Sequence, residues 1–349
     1  MLVPALGCGS PAVPRRRTDR ILHVALRTRL EGNPGLAAAL TGIAEQYREI
    51  DWCAVTPGAL PGQLLETARQ LQPTVVFMQL QGPSGITGAV ARELRHVCAP
   101  EAVLVQWDGD QHHGPDAPGR RWFVELGREL DASLTTETAY QARYRDLGVV
   151  RPGYLAVAVD GALYRPTTPA PGVPPVVLLA SRYPHLPYRT REQAVDLLAR
   201  ALGPAGFGAY GLGRDATVCG HAMLRQEQEA GVYGAAQAAL SISLTNRLPR
   251  YTSDRLLRML CCGAVALVER FPDCEALGLD HGSNCLLWDE VPELPALVRR
   301  VLDDSSAAGA LEMRQAAAQL GHRHHTWEAR MPELLGIVDA VREHRRTTR

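Results

Sequence analysis

The most informative absence in this 349-residue sequence is lysine, since all 37 strongly basic side chains are arginine. Schiff-base chemistry, lysine-attached cofactors and Walker-type phosphate loops each need a lysine ammonium group, so all three are excluded. Any phosphate must therefore be bound by arginine, by backbone N–H groups or by a helix N-terminus.

The sequence also lacks net charge and long apolar runs. Basic and acidic residues balance at 37 each, so no overall field attracts nucleic acid or anionic membrane, which leaves only a local basic cleft open. No apolar run approaches the roughly 20 residues of a membrane helix. The start, "MLVPALGCGSPAVPRRR", has its charges after its apolar part, the reverse of a secretory signal. We predict a cytoplasmic protein without membrane attachment, with a disordered arm over residues 1–18.

The cysteines form no C-x-x-C pair, and several lie in apolar runs. This distribution predicts reduced, mostly buried thiols and no metal site. The eight residues are Cys8, Cys53, Cys98, Cys219, Cys261, Cys262, Cys274 and Cys285.

Short apolar strands alternate with amphipathic helices in the first half of the chain. The predicted strands are 21–27, 50–55, 74–80, 102–107 and 132–136, and the predicted helices are 35–49, 61–72, 87–97, 120–130 and 138–147. Such alternation is typical of right-handed βαβ units and a mostly parallel sheet covered on both faces.

The alternation restarts after a proline-dense segment, "RPTTPAPGVPP" (165–175), which we predict to be a linker. The second half has predicted strands at 176–181, 206–211, 239–244, 285–288 and directly after Gly263, with helices at 190–202, 254–263, 291–303, 309–320 and 327–345. The predicted domains are 19–164 and 176–326, with a C-terminal crossover helix over 327–349. The fold class is α/β, with two Rossmann-like, doubly wound domains facing a cleft that receives ligands at the carboxyl ends of the strands.

The stretch "SDRLLRMLCCGAVALVER" (253–270) carries the most specific local pattern. Ser253 is a good N-cap, Asp254 suits a first turn and Gly263 is a C-terminal signal. Arg255 and Arg258 then share the helix face opposite the leucines, near a helix N-terminus, where forked donors and partial positive charge favour a diphosphate. The alternative is a solvated face, or salt bridges to Glu269 or Asp254.

This stretch and the sequence after it resemble a family. "NRLPRYTSDRLLRMLCCGAVALVE", "LGLDHGSNCLLWDEVPELPALVRRVLDD" and "GHRHHTWEAR" are similar to the C-terminal half of two-Rossmann (GT-B) nucleotide-sugar glycosyltransferases, closest to the spore-maturation-type group and its bacteriophage relatives. The residues that fit the order of the family's motifs are Arg255, Cys262, Gly263, Asn284, Trp288, Asp289, His325, Thr326, Trp327 and Arg330.

One position departs from the family pattern. Where the family has a glutamate that resembles the residue gripping the donor ribose, this chain has Arg258, which is then available to the diphosphate. Some phage relatives share the "SDR..R" form. The resemblance implies a metal-independent hexosyltransferase in which arginines and the helix N-terminus replace a cation.

Two loops of the second domain are further candidates for the donor. The "YGLGR" turn after a strand provides Tyr210, Gly211 and Gly213, whose backbone would approach a nucleotide closely. The first strand-to-helix loop, "SRYPHLPYRTR", offers Arg182, Arg189 and Arg191 for a phosphate contact that the resemblance implies. An ordinary glycine turn and surface-exposed arginines are the alternatives.

"QWDGDQHH" (106–113) ends the fourth strand of the first domain and supplies the catalytic candidates. We predict Asp110 or Asp108 as the base for the acceptor hydroxyl, with Trp107 and His112 binding the acceptor. The alternative is a polar turn with capping aspartates.

Two other loops follow strands of the first domain and would flank the same cleft. "RTRLEGNPG" contributes Arg29 and Asn33, and "QLQGPSGIT" contributes Gln81, all as acceptor-binding candidates. In the second domain, "GHRHH" is interpreted as packing, because histidines so close on a helix end point in different directions.

These features lead to three hypotheses. The first is a glycosyltransferase moving a hexosyl group from a nucleotide diphosphate sugar, best a UDP-sugar, to the hydroxyl of a glycan, a metabolite or a hydroxymethylated pyrimidine in phage DNA. The others are a nucleotide-sugar epimerase and a non-catalytic nucleotide-binding protein. No cofactor is expected beside the nucleotide sugar, and the protein is expected to be a monomer or a homodimer.

Overall fold

The computed structural model describes residues 18–27, 34–110, 113–181, 189–213, 219–243, 245–303 and 308–348. Four predicted site residues, Arg29, Asn33, His112 and Arg182, lie outside these ranges. The described chain divides into two compact units, which we call the N-terminal unit (18–157 with 327–348) and the C-terminal unit (158–326). The division falls upstream of the proline-dense segment 165–175, which belongs to the C-terminal unit.

The N-terminal unit is built on a six-stranded parallel sheet in the order β2-β1-β3-β4-β5-β6. Its strands are β1 (Arg20–Ala25), β2 (Gln46–Asp51), β3 (Val75–Gln79), β4 (Val103–Asp108), β5 (Ala132–Thr135) and β6 (Pro152–Tyr154). The helices between them are α1 (Pro34–Ile43), α2 (Leu60–Leu71), α3 (Gly88–Val97), α4 (Arg121–Gly127) and α5 (Gln141–Asp146). Strands β3 and β4 are buried along their whole length, as expected of a sheet covered on both faces.

The predicted bounds of the second strand were wrong. The strand occupies Gln46–Asp51 instead of 50–55, so the last residues of the predicted helix 35–49 are also in the strand. β2 lies at the sheet edge, and its alternating exposed and half-buried polar residues hid the strand from a search for apolar runs. Trp52 packs back from the following turn, where its indole N–H donates to the carbonyl of Gln79 at 2.9 Å.

The C-terminal unit contains a second six-stranded parallel sheet, ordered β12-β11-β10-β7-β8-β9. Its strands are β7 (Val176–Leu179), β8 (Phe207–Tyr210), β9 (Gly220–His221), β10 (Ala238–Ser241), β11 (Val265–Glu269) and β12 (Cys285–Trp288). Its helices are α6 (Arg189–Gly206), α7 (Gln226–Ala235), α8 (Asp254–Cys261), α9 (Leu294–Asp303) and α10 (Ala308–His324). Counted along the unit, this strand order is the 3-2-1-4-5-6 order of dinucleotide-binding folds, whose ligands bind where the order reverses.

The last helix, α11 (Trp327–Thr347), returns to the N-terminal unit. Near its start, Trp327 packs edge-on against Trp107 with ring centroids 5.3 Å apart. Near its end, Arg342 donates to Asp19 at 2.6 Å and to the carbonyl of Thr74 at 3.2 Å. Both ends of the helix are therefore fixed to the first sheet. Within the described residues, no helix is both long and apolar enough to cross a membrane.

Candidate functional site

The strand order of the C-terminal unit reverses between β7 and β10, and one arginine bridges that point. Arg191, in the first turn of α6, is 2% exposed. Its guanidinium donates to the carbonyl of Ser181 at 3.2 Å, just after β7, and to the carbonyl of Ile242 at 2.9 Å, just after β10. Arg191 therefore fixes the crevice between the two strand ends and is not a surface phosphate ligand, while Arg189 is exposed at the start of α6.

The N-terminus of α8 lies at the same edge of the sheet, because α8 follows β10. The helix begins at Asp254 as predicted, and its leucines face the core. Ser253 occupies the N-cap position, but its hydroxyl does not cap the helix. The Ser253 backbone N–H donates to the Ser243 hydroxyl at 3.2 Å, and the Ser253 Oγ is buried without a hydrogen-bond partner among the described residues. The helix start thus retains an unused hydroxyl group.

Arg255 forms no ion pair with any other residue that the structure describes. Its side chain is half-buried, and its Nε atom is buried without a hydrogen-bond partner in the described part of the chain. Its neighbour Asp254 does not pair with it but with Arg258. A half-buried guanidinium that lacks an anion is stabilised by binding one, so Arg255 is available to a ligand.

Arg258 is not available in the same way, which corrects its predicted role as a diphosphate ligand. Arg258 is 7% exposed and forms ion pairs with Asp254 and with Glu229 of α7, the latter at 2.8 Å. Its guanidinium carbon lies 5.2 Å from the ring centroid of Tyr164, whose hydroxyl donates to the same Glu229 oxygen at 2.8 Å. Of the two salt-bridge partners considered for this face, Asp254 is used, whereas Glu229 replaces Glu269.

Glu229 and Tyr164 were missed by the sequence analysis. Glu229 lies in "RQEQEA", which is typical of an exposed helix start, and Tyr164 precedes the proline-dense segment without any motif. The one available signal was Arg258 itself, because an arginine on a buried helix face requires compensating carboxylates.

Glu269, at the end of β11, instead binds Asn246. Its carboxylate accepts a hydrogen bond from the Asn246 side-chain amide. Burial raises the pKa of Glu269, while Asn246 and the charge of Arg191 act in the opposite direction. Glu269 is therefore an acidic group at the carboxyl edge of this sheet, in addition to Asp254 at the start of α8.

The "YGLGR" turn forms the neighbouring strand end. The Tyr210 ring stacks on His221 with centroids 4.4 Å apart and planes 16° apart. Gly211 has φ +79, and a Cβ atom there would lie 2.6 Å from the carbonyl oxygen of Ala180. Gly213 also has positive φ, but no atom of a described residue lies within 4 Å of a Cβ built on it. Gly211 therefore allows the β8 turn to approach the end of β7 closely.

The residues that carry the family resemblance mostly hold the C-terminal unit together. Gly263 ends α8 with φ +70, and a Cβ on Gly321 would lie 2.7 Å from the backbone nitrogen of Cys261, so α10 packs tightly on α8. The Asn284 amide donates to the carbonyl of Gly278 at 2.9 Å and orders the loop before β12. Trp288 is fully buried and the exposed Asp289 pairs with Arg270 at 3.1 Å.

The histidine-rich end of α10 has the packing role that was predicted for it. His322 and His325 each bond through Nε2 to a backbone carbonyl, that of Cys261 at 3.1 Å and that of Leu277 at 2.9 Å. Thr326 is buried beside them, and Arg330 in α11 is 4% exposed and pairs with Glu333 at 2.7 Å. These residues explain the motif through packing and need no ligand.

In the N-terminal unit, the two candidate bases differ in their surroundings. Asp108 is fully buried at the end of β4, pairs with Arg120 and accepts the backbone N–H of Asp110 at 3.0 Å. Burial raises the pKa of Asp108 to about 6, although Arg120 opposes the shift. Asp110 is exposed on the turn. The structure thus corrects Asp108 from candidate base to the group that shapes the turn, and leaves Asp110 as the accessible carboxylate.

The other predicted acceptor residues are not brought together. Trp107 is 1% exposed, and its indole N–H donates to the carbonyl of Leu155 at 3.0 Å. It is a core residue and not an acceptor platform. A Cβ on Gly109 would lie 2.6 Å from the Trp107 ring, which explains the glycine by packing. Gln81 is exposed in the loop after β3.

A polar network on β1 and β2 was also missed. His23 Nδ1 bonds to the Tyr47 hydroxyl at 2.8 Å, Tyr47 donates to Glu49 at 2.6 Å, and Arg27 donates to Glu49 at 3.0 Å. Burial lowers the pKa of His23 to about 4, so the imidazole is neutral at pH 7. The alternation of polar residues in the misassigned β2 hid this network.

Comparison with known proteins agrees with this architecture. Residues 189–336 match the family model described as glycosyl transferase-like. No curated protein is significantly similar to the chain in sequence. Among solved structures, Alr3699/HepE from Anabaena in complex with UDP superimposes with a TM-score of 0.65 at 13% identity, over 92% of this chain and 100% of that chain.

Two further structures have the same fold. A glycosyltransferase from Rickettsia africae ESF-5 has a TM-score of 0.64 at 8% identity, over 93% of this chain and 98% of that one. Sucrose-phosphate synthase from Thermosynechococcus elongatus has a TM-score of 0.59 at 13% identity, over 93% and 99%. With its two six-stranded parallel sheets and flanking helices, the chain has the predicted α/β fold of GT-B glycosyltransferases. The match to the glycosyl transferase-like family covers most of the C-terminal unit and the first residues of α11.

Proposed function

We propose that the protein is a glycosyltransferase that moves a hexosyl group from a nucleotide diphosphate sugar to an acceptor hydroxyl. The observation that carries the proposal is the half-buried Arg255 at the N-terminus of α8, on the carboxyl edge of a Rossmann-ordered sheet, where it has no anionic partner among the described residues. The family match over 189–336 includes this helix. A UDP-sugar is the preferred donor, since structures of the same fold contain UDP or UDP-glucose.

The reaction needs positive charge where the diphosphate leaves. As the bond from the sugar to the β-phosphate breaks, negative charge grows on the departing nucleoside diphosphate. Arg255 and the N-terminus of α8, with the free Ser253 hydroxyl, provide preorganised donors for that charge, which is where electrostatic stabilisation accelerates a reaction most. These groups would replace a divalent cation, so the activity should survive chelation of metal ions.

Asp110 is the proposed base for the acceptor hydroxyl. It is the accessible carboxylate of the β4 turn, and the buried pair of Asp108 with Arg120 holds that turn in shape through the Asp110 backbone. The acceptor's attacking oxygen would lose its proton to Asp110 as it bonds to the sugar carbon.

A glycan or small polyol fits the N-terminal unit better than phage DNA does. A DNA acceptor would need free arginines in the loops 27–35 and 119–121. Among the described residues of these loops, Arg27 pairs with Glu49, Arg120 with Asp108 and Arg121 with Glu125. Paired arginines release few counterions from a phosphate backbone.

A panel of nucleotide diphosphate sugars tests the proposal. We expect UDP-sugars to raise the unfolding temperature of the purified protein. We also expect the protein to release UDP and free hexose slowly from the UDP-sugar when no metal ion is added. An altered but unreleased sugar would indicate an epimerase, and stabilisation without turnover toward any acceptor would indicate a binding protein. Stabilisation by no nucleotide sugar would contradict the proposal. For the acceptor, a mobility shift on hydroxymethylated but not unmodified DNA at low salt would favour the DNA hypothesis.

A further inference from the structure

The two arginines of α8 have opposite environments, and the contrast suggests a division of roles. We propose that Arg258 is a positioning residue: it binds two carboxylates, Asp254 in the first turn of α8 and Glu229 of α7, and so keeps Arg255 free for a diphosphate. The inference rests on the proposed function, because it assigns a role within the same donor site.

The contacts of Asp254 are the first observation. Asp254 adjoins Arg255 in the chain and lies in the first turn of the helix, where it could compete with a bound diphosphate. Its carboxylate is instead paired with Arg258, one helical turn away. The i,i+4 geometry places these two side chains side by side on the helix surface and turns the acid away from its neighbour.

Glu229 is the second carboxylate that Arg258 binds. Its Oε2 atom accepts Arg258 Nη1 at 2.8 Å and the Tyr164 hydroxyl at 2.8 Å. Its side chain is 13% exposed and that of Arg258 is 8% exposed, so water screens the pair little. The Tyr164 ring contacts the guanidinium as well. Arg258 is thus held from several sides, and its position is well determined.

Arg255 acts electrostatically on the same buried residue, Tyr233, as Glu229 and Arg258 do. The side chain of Tyr233, fully buried in α7, lies close enough to sense Glu229, Arg258 and Arg255. Burial raises the pKa of its hydroxyl, Glu229 raises it further, and the two arginines oppose the shift. Glu229 and Arg255 therefore act on one buried group. Without Arg258, Asp254 and Glu229 would be left without their cation, and either carboxylate could then pair with Arg255 or repel a diphosphate.

The test compares a ligand with phosphates to one without. We would measure the dissociation constants of UDP and uridine by calorimetry for the wild-type protein, Arg258→Gln, Arg258→Lys, and Arg258→Gln combined with Glu229→Gln and Asp254→Asn. Arg258→Gln should weaken UDP binding by roughly tenfold or more and leave uridine binding within about twofold. Arg258→Lys should retain most of the UDP affinity. The triple variant should restore UDP binding to within about threefold of wild type, since it removes the carboxylates together with the arginine.

Two outcomes would overturn the inference alone. UDP affinity unchanged in a folded Arg258→Gln protein would show that Arg255 needs no such protection. A triple variant that folds but has lost UDP affinity as fully as Arg258→Gln would show that Arg258 itself contacts the phosphates. If Arg258→Gln does not fold, the triple variant still decides, because it leaves no unpaired buried charge. A wild-type protein that binds no nucleoside diphosphate would overturn the proposed function, and the inference with it.

Discussion

At the scale of single residues, burial and ion pairing decide which charged groups are accessible to a ligand and which shape the protein. Arg255 and Arg258 are three positions apart on one helix face, and only Arg258 has carboxylate partners in the described structure. Asp108 and Asp110 show the same contrast in the other unit. The sequence predicted each pair, but it could not separate their members, because their partners come from distant segments.

The Asp108 environment leads to a pH prediction. Burial raises the pKa of this carboxyl to about 6, above the roughly 3.9 of an unfolded aspartate. Between those values the native state binds more protons than the unfolded state, so the contribution of Asp108 to stability falls as pH rises from about 4 to 6. Asp108→Asn lacks this titration. Its free energy of unfolding relative to wild type should therefore rise over that window and level off above it.

Urea denaturation at several pH values would measure this difference. Asp116→Asn is the control, because Arg143 holds the pKa of the exposed Asp116 below its usual value. Its stability relative to wild type should fall as pH rises toward the roughly 3.9 of an unfolded aspartate and stay level between about pH 4 and 6, where Asp108 titrates. A pH-independent difference for Asp108→Asn would contradict the environment described for this residue.

At the scale of elements, the sequence predicted the buried strands and most of the amphipathic helices well, but only one of the four edge strands. β3, β4 and β11 are mostly apolar, and their positions agree with the prediction to within a residue or two. The apolar edge strand β12 was predicted at its observed bounds, whereas the edge strands β2, β6 and β9, which are polar or very short, were misplaced or missed. A polar or very short edge strand is held by a single neighbour, so tertiary pairing specifies it more than its own composition.

The glycine turn after β8 can be tested with a matched pair of variants. Gly211 and Gly213 both have positive φ, but only a Cβ on Gly211 would collide with a backbone oxygen, that of Ala180 at 2.6 Å. Gly213→Ala should lower the free energy of unfolding by about 1 kcal/mol through backbone strain alone. Gly211→Ala should lower it by about 3 kcal/mol, since the ends of β7 and β8 must also separate. Chemical denaturation of both variants checks this, and equal losses would contradict the close approach.

At the scale of the whole molecule, the chain returns at its end to the unit in which it began. α11 belongs to the N-terminal unit, although the resemblance placed its first residues in a motif of the C-terminal half. The sequence predicted a helix over 327–345, which agrees with the observed α11. Its attachment through Trp107 and Asp19 depends on residues more than 200 positions away, which no local pattern specifies.

The attachment of α11 yields another matched pair. The Arg342 side chain is 15% exposed and pairs with Asp19, which is 7% exposed, whereas Arg346 is 75% exposed and pairs with Glu343 within the helix. Arg342→Ala removes the cation from a buried carboxylate that keeps the hydrogen bond from the Thr74 hydroxyl, and should lower the free energy of unfolding by about 2–4 kcal/mol. Arg346→Ala should change it by less than about 0.5 kcal/mol. Urea denaturation distinguishes them, and similar small effects would contradict the described role of Arg342.

The measurement that tests the central claim most directly is the affinity of the Arg255→Ala protein for UDP. If Arg255 binds the diphosphate, calorimetry should show UDP binding weakened by about 10- to 100-fold, which corresponds to the loss of a charge-assisted hydrogen bond. Arg299→Ala, which removes an exposed arginine from α9 of the same unit, should bind UDP like the wild-type protein. Unchanged UDP affinity in a folded Arg255→Ala protein would contradict the assignment of the donor site to the start of α8.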